Sequence, residues 1–254
     1  MTGAPALTTL SVRNLTRRFG RNEVIHGISL ELKRGEVIGL VGHNGAGKST
    51  TLQMLSGAIQ PNSGQIEVCG HDLLRHPNSA RAHIGFLPDT PPLYRDMRVD
   101  DYLVFAARLH LVPPGIIADA LTATKLRCGL QDEGRKLIST LSKGFQQRVG
   151  IAQAIIHTPD VIILDEPTVS LDPAQIRDIR ALIRMLGDMH SVILSTHLIS
   201  EVESICDRIV IMQNGRIIYT GTKQDLMQLG NGRIKLEDMF IQITENHAPG
   251  KSAS

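Results

Sequence analysis

Residues 42–50, GHNGAGKST, constrain the fold more than any other stretch of the chain. They follow EVIGLV, residues 36–41, and precede TLQMLSGAI, residues 51–59. A compact apolar run of the first kind suits a strand buried on both faces of a parallel sheet. The second has helical spacing and stops before Pro61 and Gly64. Gly42, Gly47, Lys48 and Ser49 fall on G-x-x-x-x-G-K-[ST] spacing, between the strand and the helix that this pattern requires. The glycines let backbone N–H groups turn inward around phosphate oxygens, and the following helix aims the positive end of its dipole at the same anion. The segment Gly42, His43, Asn44, Gly45, Ala46, Gly47, Lys48, Ser49 and Thr50 is therefore expected to bind the phosphates of a nucleotide. Lys48 reaches the terminal phosphates as a point charge, and the Ser49 hydroxyl ligates Mg2+.

A second segment completes the chemistry. VIILDEPT, residues 161–168, places a carboxylate pair directly after four apolar residues. In open α/β sheets, ligands bind at that end of the strands. Asp165 is expected to hold Mg2+, directly or through water, and Glu166 to orient and polarise the attacking water. Cradle and acidic pair together point to hydrolysis of a nucleoside triphosphate.

The rest of the chain reads as an α/β protein. Residues 7–13 and 24–33 alternate apolar and polar positions, as half-buried strands do, and QIEVCG, 65–70, reads as a short strand. Residues 90–157 carry helical patterns with little strand signal and are expected to form an inserted helical lobe. Strand and helix patterns then alternate through VIILDE, PAQIRDIRALIRMLGDM, SVILSTH, LISEVESIC and DRIVIMQNGRIIYTG, which implies a largely parallel sheet with helices packed on it. KQDLMQLG and LEDMFIQITE suggest two short helices before a frayed tail. The expected organisation is one domain over 1–230, with its core in 1–89 and 158–230, followed by a short helix and flexible tail over 231–254.

Composition narrows the function. The 27 Lys and Arg nearly balance the 25 Asp and Glu, and aromatics are only 3%, which speaks against a dedicated nucleic-acid binder. Cys69, Cys128 and Cys206 are too far apart for a CxxC pair and read as small buried thiols. Arg13 interrupts the N-terminus before any signal-peptide core, and no run approaches the roughly 18 apolar residues of a membrane span. A soluble chain is expected, with any membrane role coming through a partner.

LSKGFQQR, residues 141–148, resembles the signature motif of ABC ATPases. The order of cradle, helical segment, signature and Asp-Glu strand is similar to that of an ABC nucleotide-binding domain. VSLDP, 169–173, looks like the D-loop; SVILSTH ends in His197, which looks like the switch histidine; IGFLPD, 84–89, looks like the Q-loop. Phe19 matches the aromatic that stacks on adenine. The resemblance covers about residues 7–225. It implies a P-loop NTPase (RecA-like) core with a mostly parallel sheet, an N-terminal antiparallel β-subdomain and an inserted helical lobe. It implies ATP and Mg2+ as cofactors. It further implies a head-to-tail homodimer in which Ser142 and Gly144, at the signature helix tip, cap the ATP held by the other copy, while His197 contacts the γ-phosphate.

Three positions depart from the family pattern. Lys143 replaces the first signature glycine; a cation there opposes the helix dipole, and it either meets nucleotide phosphates in the dimer or points to solvent. Phe145 replaces a glutamine and either packs against the lobe or touches the ribose. Asp89 replaces the Q-loop glutamine; as a carboxylate it suits Mg2+, but it is short and either reaches the ion, directly or through water, or instead tunes coupling to the membrane partner that the Q-loop of the family faces. GHNGAGKST, LPDTPPLY, LSKGFQQR and LEDMF together resemble an exporter subgroup that includes gliding-motility-associated cassettes. That resemblance implies ATP-driven export, with a separate transmembrane permease subunit and a place on the cytoplasmic face of the membrane. Tandem-cassette translation factors and DNA-repair proteins with long coiled-coil inserts fit less well, because one cassette and a short insert are present.

Overall fold

The computed structural model describes residues 7–229 and 236–246. The expected flexible tail, and the segment between the last two helices, lie outside the described residues.

The chain opens on a long hairpin, β1 (Thr8–Phe19) and β2 (Asn22–Lys33), then enters β3 (Val37–Val41), the glycine loop and α1 (Lys48–Leu55). Next come β4 (Ser63–Val68), β5 (His71–Asp72), α2 (Pro77–Arg81) and β6 (Ile84–Leu87). Three helices follow, α3 (Val99–Leu109), α4 (Ile117–Cys128) and α5 (Lys143–Ile155). Alternation resumes through β7 (Val161–Asp165), α6 (Pro173–Gly187), β8 (Ser191–Thr196) and α7 (Ile199–Ile205). The hairpin β9 (Arg208–Gln213) and β10 (Arg216–Thr222) leads into α8 (Lys223–Leu229) and α9 (Leu236–Asn246).

Two sheets result. The first, in the order β2-β1-β4-β5, is antiparallel throughout. The second, in the order β10-β9-β3-β8-β7-β6, is parallel except for the β9–β10 hairpin. Every residue of β3, β7 and β8 is buried. Such strands need cover on both faces, and two apolar cores supply it. One core joins α1 and the antiparallel sheet to one face through Leu10, Leu32, Leu52, Ile163 and Ile193. The other packs α3, α5, α6 and α7 against the opposite face through Leu103, Ile151, Ile162, Ile183 and Val202.

The parallel register positions the chemistry. Val41 pairs with Thr196, and Asp165 pairs with Ser195. The chain therefore leaves β3, β8 and β7 along one edge, from strands that lie about 4.8 Å apart.

Several local expectations need correction. Residues 90–98 read as helical, but α3 starts only at Val99, because Pro91 and Pro92 lack the N–H donors a helix needs. The helix after the glycine loop ends at Leu55, and Gly57 turns the chain at φ 74°. Strands β1 and β2 are longer than expected, because the hairpin continues to the tight turn beside Phe19. Strand β4 stops at Val68, so Cys69 lies in a turn; it is partly exposed, whereas Cys128 and Cys206 are buried.

Candidate functional site

The glycine loop lines a cleft of about 450 Å³ at the C-terminal edge of the parallel sheet. Asn44, Gly45, Ala46, Gly47, Lys48, Ser49 and Thr50 form one wall; Asp89, Glu166 and His197 form the other. Gly47 takes φ 102° as the N-cap of α1, a conformation open to glycine and costly for any residue with a Cβ. That turn starts the helix at Lys48 and points its free N–H groups into the cleft.

Lys48 is only 5% exposed. Its Nζ donates to the carbonyl oxygens of Gly42, at 2.7 Å, and His43, at 3.4 Å, and lies 3.4 Å from Glu166 Oε1. A buried ammonium needs such partners. The His43 ring lies 5.3 Å from that of Phe240 on α9. Gly42 and His43 thus serve the cleft through their backbone and are absent from its lining.

The acids hang from one hydroxyl. Ser195 Oγ donates to Asp165 Oδ1 at 2.6 Å and accepts the Glu166 N–H at 2.9 Å. Ser49 Oγ donates to the same Asp165 oxygen at 3.1 Å. Burial raises the Asp165 carboxyl above its ordinary range; the bonds from Ser195 and Ser49 pull it down, and the charges of Asp89 and Glu166 push it up again. Glu166 sits at φ 47°, a left-handed conformation that costs a residue with a Cβ about 1–3 kcal/mol and is often found at functional sites. That turn presents its carboxylate to the cleft, with Oε2 2.9 Å from His197 Nδ1. An ionised carboxylate only accepts, so His197 Nδ1 carries the proton of that bond. Lys48, Glu166 and His197 thus form a continuous polar chain.

Sequence reasoning missed two parts of this arrangement. Ser195 carries no motif signal beyond its place two residues before His197. Glu201 on α7 is 0% exposed; its Oε1 accepts from Thr168 Oγ1 and lies 3.6 Å from Arg180 Nη2. This buried carboxylate joins the helix after His197 to the loop after Glu166. Its position on α7 looks in sequence like any other amphipathic helix residue.

Other expected residues lie elsewhere. Phe19 is 46% exposed at the end of β1, with the Arg17 guanidinium 4.5 Å above its ring, and is not part of the cleft lining, where Val24 of β2 stands. Ser142 caps α5 by accepting the Phe145 N–H at 3.4 Å. A Cβ on Gly144 would meet the Gln175 side chain at 2.8 Å, so the missing side chain lets α6 approach. Neither Ser142 nor Gly144 lines the cleft of its own chain. Lys143 is exposed and borders a second cleft with Asp89 and Gln146, while Phe145 packs partly buried against the α-helical core.

Comparison with known proteins accords with this geometry. The profile of the family described as ABC transporter matches residues 25–169. The linearmycin resistance ATP-binding protein of Bacillus subtilis is 35% identical over 236 residues, which cover 92% of this chain and 74% of that protein. The Nod factor export ATP-binding protein I of Ralstonia nicotianae is 33% identical, over 89% of this chain and 70% of that protein. A solved structure described as the ATP-binding subunit of an ABC transporter superposes with a TM-score of 0.84 at 30% identity, over 93% of this chain and all of that one. The chain belongs to the ABC transporter family, as one of its ATP-binding subunits, whose members hydrolyse ATP to power transport.

Proposed function

We propose that this subunit drives an exporter as a nucleotide-bridged homodimer on the cytoplasmic face of a membrane, beneath a separate transmembrane permease subunit. The observation that carries the reading is the chain of contacts from Lys48 through Glu166 to His197 in the cleft. On this reading the phosphates draw Lys48 away from the carbonyls it now holds, which leaves Glu166 free to orient water and take up its proton. His197 keeps Glu166 in place through Nδ1 and contributes to recognition of the γ-phosphate. Phe19 supports the adenine.

The donor set fits Mg2+: the Ser49 hydroxyl and the Asp165 carboxylate are two hard oxygens 3.1 Å apart, in surroundings where the neighbouring acids Asp89 and Glu166 favour a cation. When bound with the triphosphate, the ion neutralises charge on the phosphate oxygens. Asp89, on the same cleft wall, would serve the ion either directly or through water.

Ser142 is exposed at the N-terminal tip of α5, with Gly144 buried in the turn behind it, and both lie away from their own cleft, which suits that helix tip to cap the nucleotide of a second copy. Closure is then a two-state interface biased by ATP and released by hydrolysis. The names of the relatives, one for resistance to linearmycin and one for export of Nod factor, favour outward transport. Among the described residues no helix is long and apolar enough to cross a membrane, in keeping with a separate permease. The reading divides the chain as expected from sequence, with a cassette over 1–230 and its helical lobe over 90–157.

The test is the mass of the Glu166→Gln variant in solution with Mg-ATP. It is expected to double with ATP and stay monomeric with ADP. A variant that turns over ATP at the wild-type rate, or stays monomeric while ATP is bound, overturns the assignment.

A further inference from the structure

At the opposite end of the parallel sheet, three elements bring together a thiol, an imidazole and a carboxylate. Cys69 lies in the turn between β4 and β5, His83 immediately precedes β6, and Asp160 immediately precedes β7. Among the described residues their ligand atoms all lie within 4.8 Å of one another. His83 Nδ1 is already 2.7 Å from Asp160 Oδ2, and the His71 ring stacks on His83 at 5.4 Å with a 16° interplanar angle. We propose that Cys69, His83 and Asp160 form a binding site for a borderline-soft divalent cation of the Zn2+ type, separate from the nucleotide cleft.

Four observations carry this. The donor set is one that Zn2+ accepts, namely thiolate sulfur, imidazole nitrogen and carboxylate oxygen. Its charge suits a dication, because a thiolate and a carboxylate contribute one negative charge each and the imidazole binds neutral. Cys69 loses its proton to solvent as the Zn–S bond forms. The distances are also close to those required. Donors around tetrahedral zinc sit about 3.3–3.7 Å apart, so Cys69 closes on the pair by up to about 1 Å while His83 Nδ1 and Asp160 Oδ2, now 2.7 Å apart, open by about 0.6 Å, which is within rotamer adjustment for groups that keep some exposure.

The turn itself is the fourth observation. Val68 pairs with His71, so Cys69 and Gly70 are the two central residues of a tight hairpin, at φ 48° and 81°. Asn, Asp or Gly normally fills the first of these positions. A cysteine there takes on local strain and gains a thiol that faces Asp160 and His83. Arg34 is the positive group facing Cys69, and Asp160 the negative one.

The site ties the antiparallel sheet to the N-terminal edge of the core sheet. The five residues of β7 separate it from Asp165, roughly 17 Å of extended chain. The Mg2+ site and this one are thus physically distinct.

The test uses the full chain, treated with a chelator and free of nucleotide, titrated with Co2+ as a spectroscopic probe and then with Zn2+. A cobalt–thiolate charge-transfer band is expected at one equivalent and is displaced by Zn2+. The band reports on Cys69 alone, because Cys128 and Cys206 are buried. Cys69→Asn, which suits the turn and so preserves the fold, is expected to abolish the band. His83→Gln and Asp160→Asn are each expected to weaken Zn2+ binding by at least about tenfold. Absence of a thiolate band in the wild-type chain, a band that survives in Cys69→Asn, or Zn2+ affinity unchanged in both other variants overturns the site.

Discussion

Lys48 and Glu166 face each other across the nucleotide cleft, with Nζ 3.4 Å from Oε1, so the cation proposed to receive phosphate neighbours the acid proposed to serve the water. On that proposal phosphate competes with a carboxylate for one ammonium. Lys48→Ala is expected to weaken ATP binding by about 10- to 150-fold, the worth of a charged hydrogen bond at about 1.5–3 kcal/mol. Titration with a fluorescent ATP analogue measures this. Unaltered affinity would contradict the cradle assignment.

Ser195 predicts a split between turnover and binding. Its hydroxyl serves Asp165 and the Glu166 N–H together. Ser195→Ala removes both partners and leaves a donor unsatisfied, at a cost of about 1–3 kcal/mol. The expected outcome is a lower melting temperature and a larger loss in kcat than in ATP affinity. If kcat is unchanged, the acids are held by something else.

Glu201 tests whether a remote buried charge matters. Leaving a buried hydrogen-bonding group without its partner costs about 1–3 kcal/mol. Glu201→Ala strips Thr168 of its acceptor and takes the carboxylate from Arg180, which keeps Ser200 Oγ and some solvent, whereas Glu201→Gln keeps an acceptor for Thr168. Denaturant melts should therefore rank wild type, Gln and then Ala in falling stability. Equal stability of the two variants would show that the Thr168 bond carries none of the effect.

Acid sensitivity has a local source in His157. Its ring stacks on that of His110 at 3.8 Å, and Nε2 bonds the Ile84 carbonyl, which leaves Nδ1 buried and without a hydrogen-bond partner. Burial, with smaller contributions from His110 and His190, lowers its pKa from 6.5 to about 4, against the pull of the Ile84 carbonyl. The folded chain therefore keeps His157 neutral where the unfolded chain protonates it. Below 6.5 the unfolded state binds more protons, so stability falls as pH drops toward about 4. Thermal melts from pH 7 to 4 should fall less steeply for His157→Gln; identical slopes would exclude this group as the source.

How much of this was legible in the sequence depends on distance along the chain. The strand, glycine loop and helix around Lys48 are contiguous, so one motif specifies the cradle and its dipole together. Glu166 and His197 were legible because each directly follows an apolar strand, and the parallel register then sets them side by side. Ser195 and Glu201 were not, because their importance arises only from that register and from the packing of α7. Pro91 and Pro92 were visible but were outweighed by the helical pattern beyond them. Phe19 was identified by its place in a motif, yet that place does not say whether a hairpin tip bends over the cleft.

Strand β8 lies between β3 and β7 and delivers Ser195 and His197 from positions two residues apart. Adding one residue within it would reverse the facing of every side chain beyond the insertion. Both contacts would then be lost in a single event, although no chemical group had been deleted. The turn before β8, at Asp188 and the exposed Met189, lies at the far end of the strand, and its backbone N–H groups bond only the end of α6. Extra residues there should disturb that helix end and leave the cleft end of β8 in register, which makes it the better place to splice in a tag or reporter.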